Sequence, residues 1–132
     1  MPRDDTIHGT LGQLDRPVWE PLLELVGEYL IGDFMWMCEV DLDDGSAIHA
    51  YKHSATRRYV HLHESDGRAF VYLDPERYRE IHPRDAIDDV FHRWEDLVVK
   101  PASRELIRVA IDAARARAEE RAAAAAAAAE DG

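Results

Sequence analysis

The chain predicts an α+β fold: a single domain built as a four-stranded antiparallel β-meander packed on helices, one N-terminal and two C-terminal. Three observations carry this. Residues 34–42 (Phe-Met-Trp-Met-Cys-Glu-Val-Asp-Leu) alternate with period two. Turn-forming stretches, Asp43-Asp44-Gly45-Ser46 and Glu64-Ser65-Asp66-Gly67, separate apolar runs by loops too short for a parallel crossover. On both flanks the apolar residues recur at helical spacing instead.

Residues 1–16 show no clear periodicity and are expected to form a flexible N-terminal segment. The domain is expected to span 17–118. Pro21 lacks an N–H, so the first helix starts near Glu20. Leu22, Leu23, Val26, Tyr29 and Leu30 follow helical spacing, and Gly32 is a natural stop. The first strand is Phe34 to Leu42, with Phe34, Trp36, Cys38, Val40 and Leu42 sharing one apolar parity. Ala47 to His53 and Arg57 to His63 are the second and third strands, joined by Ser54-Ala55-Thr56. Arg68 to Leu73 is the fourth. Asp74-Pro75 ends the sheet, and residues 78–81 read as a short extra strand or a helical turn.

Pro83 suits the first turn of a helix. Ile87, Val90, Phe91, Trp94, Leu97 and Val98 then form a continuous apolar stripe. Pro101 closes it and opens the last helix, whose stripe is Leu106, Ile107, Ala110, Ile111 and Ala114. Residues 119–132, with alanine at every position from 122 to 129, are expected to be a helical or frayed tail.

Composition narrows the function. The 132 residues carry a net charge of −11, which disfavours general nucleic-acid binding. No apolar run is long enough to span a membrane, residues 1–10 lack a signal-peptide core, and Cys38 is the single cysteine, so a cytoplasmic protein is expected. Fourteen arginines against two lysines, with the alanine tail, point to a high-GC bacterial genome. The charge is uneven: residues 1–46 carry a net −9, whereas 47–73 carry +2.

That mildly basic stretch also holds the most unusual feature of the chain. Residues 49–63 contain four of the seven histidines, all at odd numbers, with Tyr51 and Tyr59 between them. In an extended chain residues two apart share a face. If the Ser54–Thr56 loop has three residues, Tyr51 opposes Tyr59 and His49 opposes His61. The four histidines then share the face opposite Ile48, Ala50, Val60 and Leu62. A ligand surface of His49, Tyr51, His53, Arg57, Tyr59, His61 and His63 is the expectation that follows. It suits a small anion; the pair His61 and His63 suits a metal only with a third ligand, and Glu64 lies on the wrong parity for them. A loop longer by one residue breaks the cluster apart.

Other motifs are weaker. Cys38 lies on an apolar parity and reads as an inert thiol. Residues 41–45 superficially match a calcium loop, but position twelve from Asp41 is Lys52. Phosphate-loop, dinucleotide, hydrolase and zinc-protease signatures are missing, so catalytic residues are unassigned, no metal or cofactor is expected, and an enzyme is disfavoured. The leading expectation is a small non-enzymatic protein-interaction or regulatory module. Its partner would be another protein or a second copy engaging the C-terminal helix. The alternatives are a small-ligand or metal-binding sensor or enzyme using the histidine face, and an acidic protein that sequesters a basic partner.

Overall fold

A computed structural model describes residues 5–97 and 101–131. Among these, six strands form a closed antiparallel barrel: β1 (Thr6–Leu11), β2 (Phe34–Leu42), β3 (Ala47–His53), β4 (Tyr59–His63), β5 (Ala69–Leu73) and β6 (Arg77–Ile81). Three helices accompany it, α1 (Glu20–Ile31), α2 (Pro83–Val90) and α3 (Pro101–Asp131). The four-stranded meander is therefore corrected to a six-stranded barrel, while the helical complement matches expectation. Closure comes from β1, which pairs with β2 through Gly9 opposite Leu42 and with β6 through Ile7 opposite Tyr78. Both closing strands are charged or polar at alternate positions, and β1 lies inside the segment expected to be flexible. Closing the sheet leaves no unpaired edge.

The barrel has two apolar faces. Val40, Leu42, Ile48, Phe70 and Tyr78 fill its interior, with Ile7 and Cys38 against them. The space is tight at Gly9, where a Cβ would sit 2.8 Å from Val40 and 3.0 Å from both Leu42 and Tyr78. The outer wall packs on the helices through Phe34, Tyr51, Val60, Leu62 and Ala69, which meet Leu22, Ile87, Trp94 and Ile111.

One bulge explains how β2 serves both. The register of β2 against β3 shifts between Trp36 and Cys38, leaving Met37 as the extra residue. Phe34 and Trp36 consequently face the helices, while Cys38, Val40 and Leu42 face the barrel interior. The single shared face expected for these five residues is corrected on that ground.

The helices differ from expectation in two places. α1 is broken at Gly27, whose φ of 83° only glycine adopts freely. Arg117 of α3 fills the break: its Nε donates to the Leu25 carbonyl at 2.9 Å. The stripe expected to run from Ile87 to Val98 as one helix stops at Val90. Arg93 then takes a left-handed φ of 61° ahead of a 3₁₀ turn over Trp94–Asp96. The expected stripe residue Val98 falls outside the described residues. α3 crosses α1 and α2, held by Ile111, Ala114 and Ala118 in the core. Arg115 also reaches Asp88 at 2.7 Å, and Arg84 reaches Glu119 at 3.2 Å. No helix among the described residues is long and apolar enough to cross a membrane.

Candidate functional site

The histidine-rich hairpin turns on one residue. Ser54, Ala55, Thr56 and Arg57 all belong to the loop: the N–H of His53 donates to the Arg58 carbonyl, and that of Arg57 to the His53 carbonyl, each at 2.9 Å. Arg57 takes φ 64° to close it. The strand pairing is therefore His49 opposite Leu62, Ala50 opposite His61 and Tyr51 opposite Val60. This one-residue offset puts the odd residues of β3 on the face of the even residues of β4. The shared histidine–tyrosine face is thus corrected: the barrel wall divides it.

His49, Tyr51 and His53 lie outside the barrel, under the helices. Tyr51 is wholly buried, its ring tilted against Trp19 at 5.8 Å, and it donates its hydroxyl to the Val18 carbonyl. Burial raises its pKa, with Glu20 and Glu64 adding to the rise. His53 sits edge-on to Phe34 at 5.0 Å and to Phe91 at 5.2 Å. His61 and His63 lie on the inner face, beside Tyr78 at 5.5 Å and Phe70 at 6.3 Å respectively. Tyr59 is exposed, stacks on His61 and carries Lys52 over its ring at 5.6 Å. Arg57 is exposed in the loop and joins neither group.

Two of the four histidines have a shared structural task. His53 Nδ1 accepts the backbone N–H groups of Ala55 and Thr56 at 3.2 and 3.1 Å. His63 Nδ1 accepts that of Ser65 at 3.3 Å. The two loops are built alike. In each, the histidine N–H bonds the residue five positions on, Arg58 or Arg68. In each, a side-chain oxygen three positions after the histidine accepts that arginine's N–H, from Thr56 in one loop and Asp66 in the other. Gly67, at φ 69°, stands where Arg57 stands in the first loop. His53-Ser-Ala-Thr-Arg-Arg58 and His63-Glu-Ser-Asp-Gly-Arg68 are thus one loop motif used twice, ten residues apart. Thr56 also ties its loop to α2 by donating Oγ1–H to the Val90 carbonyl at 2.7 Å.

His49 is the centre of a third arrangement. Its ring is wholly buried. Trp36 Nε1–H donates to its Nδ1 at 3.0 Å, and its Nε2 lies 3.1 Å from Glu64 Oε1. The new register brings Glu64 to this side, since its N–H bonds the Ala47 carbonyl. Glu39, opposite His49 on β2, completes the one group among the described residues whose ligand atoms fall within metal-binding reach, all within 4.8 Å of one another. The hydrogen bonding opposes a metal. The indole N–H requires a lone pair at Nδ1, so the proton of the neutral ring is on Nε2, donating to Glu64. A metal on Nε2 would move that proton to Nδ1, donor against donor with Trp36. On sequence grounds Glu64 falls on the wrong parity, Trp36 belongs to an apolar one, and Glu39 has no assigned role. The two glutamates become visible only once the register is known.

Burial sets the ionisation of His61 and His53. His61, 8% exposed and without a hydrogen-bond partner among the described residues, has its pKa pushed down to about 4 by desolvation. His53 is lowered too, by burial, which Asp33 partly opposes. At the barrel end, half-buried His8, which the sequence did not mark, bridges Asp43 at 3.2 Å and Glu76 at 3.1 Å, and those hydrogen bonds raise its pKa. Cys38, half-buried against the barrel interior, is raised by burial, the wrong direction for a nucleophile. Asp41 and Leu42 end β2, and residues 43–46 form the turn that follows, in which Asp44 accepts from the Ser46 N–H at 2.9 Å.

Two surface hollows stand out by size. The larger, about 830 Å³, lies between the end of α3 and β5–β6. Its charges neutralise each other: Arg68 pairs with Asp66 at 2.8 Å and Glu80 at 3.3 Å, and Arg121 bonds the Gly67 carbonyl. Its α3 wall is mostly alanine, which offers little to select a ligand. The second, about 400 Å³, has Leu30, Phe91, Trp94 and Ile107 as its walls, with His53, Asp33, Ser54 and Ser103 as its polar groups. This is the composition of a ligand pocket, mostly apolar with a few converging polar groups. Comparison with family models, with characterised proteins and with solved structures finds no match to this chain.

Proposed function

We propose that this protein is a non-enzymatic interaction module that associates with a second copy of itself through the outward face of α3. The observation that carries this is an apolar stripe turned away from the core. Leu106 and Val109 are each 59% exposed. Exposed Ala113, Ala116, Ala123 and Ala127 continue it, with the charged Glu120 between them, at alternating spacings of three and four, the seam of a helix pair. The core-facing side of the same helix, Ile111, Ala114 and Ala118, is already occupied. Alanines along a seam let two helices approach closely. The histidines support a structural rather than catalytic reading of the barrel, since His53 and His63 cap loops and His49 is bonded at both nitrogens.

Sedimentation of the full chain tests this. A concentration-dependent dimer is expected, and the Leu106→Glu/Val109→Glu variant is expected to sediment as a folded monomer. A wild type that stays monomeric at every concentration overturns the reading. The acidic surface supports a second reading, capture of a basic protein, given the net charge of −11. Its mark would be a host-protein complex that weakens as salt rises.

A further inference from the structure

Beyond self-association, we propose that the 400 Å³ cavity beside His53 binds a planar aromatic molecule carrying an uncharged amide or lactam edge. The polar groups of the cavity specify that edge. His53 is 6% exposed and its Nδ1 is occupied by two loop N–H groups, which places the ring proton on Nε2. That N–H has no acceptor among the described residues. His53 lines the cavity, so a ligand oxygen or ring nitrogen seated there accepts from it.

Asp33 lines the same cavity, and its negative charge is felt at His53. An aspartate accepts hydrogen bonds and repels carboxylates, so the ligand presents a donor beside its acceptor and carries no negative charge. A primary amide or a lactam has that pair of groups on one edge. Ser54 and Ser103 add hydroxyls that adapt to either role.

The rest of the cavity selects the body. Phe91 and Trp94 provide aromatic surface and Leu30 and Ile107 aliphatic surface, so a flat ring gains contact on both sides. Leu97, 49% exposed, stands at the rim. The volume falls in the range of small-molecule sites. α3 contributes Ser103 and Ile107, so an occupant touches the barrel, the 3₁₀ turn after α2 and α3 together.

Titration of the full chain with benzamide, followed by amide and indole chemical shifts, tests this. Shifts are expected at Leu30, His53, Phe91 and Trp94. Toluene, which lacks the polar edge, and benzoate, which Asp33 repels, are each expected to bind about tenfold more weakly, the worth of one hydrogen bond. His53→Leu is expected to lose the preference for benzamide over toluene. That variant also strips Ala55 and Thr56 of their acceptor, so Ser103→Trp, which fills the cavity from the helix side, serves as the second variant and is expected to abolish binding with the fold intact. No perturbation at these residues up to the solubility limit of benzamide overturns the proposal. So does unchanged binding by folded Ser103→Trp, or equal affinity for benzamide and toluene.

Discussion

Lowering the pH from 7 to 4 is expected to cost the wild type about 3 kcal/mol more stability than a His61→Leu variant, measured by chemical denaturation at both pH values. Burial holds His61 neutral, with its pKa pushed down to about 4 from an ordinary value of 6.5. Between those values the unfolded chain binds a proton that the folded chain refuses, so stability falls as pH falls through that window. His61 is nearly buried, and its ring neighbours Tyr59 and Tyr78 bring no charge to offset the loss. Tyr78 is itself pushed up to about 12 by burial and stays neutral. His53 acts in the same direction. His8 acts oppositely: its raised pKa gives stability that is complete below the ordinary histidine value and lost as pH rises through the folded value. An acid response identical in wild type and His61→Leu would contradict the assignment of His61 as a neutral histidine on the inner face.

Trp36→Phe and His49→Leu are each expected to destabilise the fold by about 1–3 kcal/mol, and the double variant by less than their sum. Removing the indole N–H leaves His49 Nδ1 buried with no donor. Removing the imidazole leaves the indole N–H without its acceptor and frees Glu64, which is half-exposed and rehydrates easily. The shared bond is lost once in the double variant and counted twice in the singles, giving a coupling of about 1 kcal/mol. Strict additivity in urea denaturation would show that the Trp36–His49 bond contributes nothing.

What the sequence revealed follows from which signals are local. β2 through β5 and α1 were legible because alternation, Gly45, Gly67 and Pro21 act over a few residues. Closure of the barrel was not, because β1 and β6 owe their strand character to pairing across seventy residues. In β1 the alternation of Thr6, His8 and Thr10 with Ile7 and Leu11 is interrupted by Gly9, and in β6 the two apolar residues, Tyr78 and Ile81, fall on opposite parities. The bulge at Met37 was hidden because a bulge keeps the sequence period intact while turning the later residues to the other face.

The histidine face failed for a subtler reason. Turn position is usually betrayed by glycine or asparagine, and Gly67 marks the second loop in that way. In the first loop Arg57 holds the same left-handed position, and an arginine there carries no turn signature. The clue was available as a repeat: His53 through Arg58 and His63 through Arg68 match at their first and last positions, ten residues apart. Aligning the two predicts a four-residue first loop, hence the offset, hence the division of the histidines and the arrival of Glu64 beside His49.

That division underlies the whole functional reading, and proton–proton NOEs between the α-hydrogens of β3 and β4 test it most directly. Because His53 and Arg58 are joined by a ladder hydrogen bond, the closely approaching non-hydrogen-bonded pairs are Lys52 with Tyr59, Ala50 with His61 and Ile48 with His63. Strong cross-peaks between the α-hydrogens of those pairs are the predicted result. Cross-peaks joining His49 to His61, or Tyr51 to Tyr59, would restore a single histidine face and contradict the account.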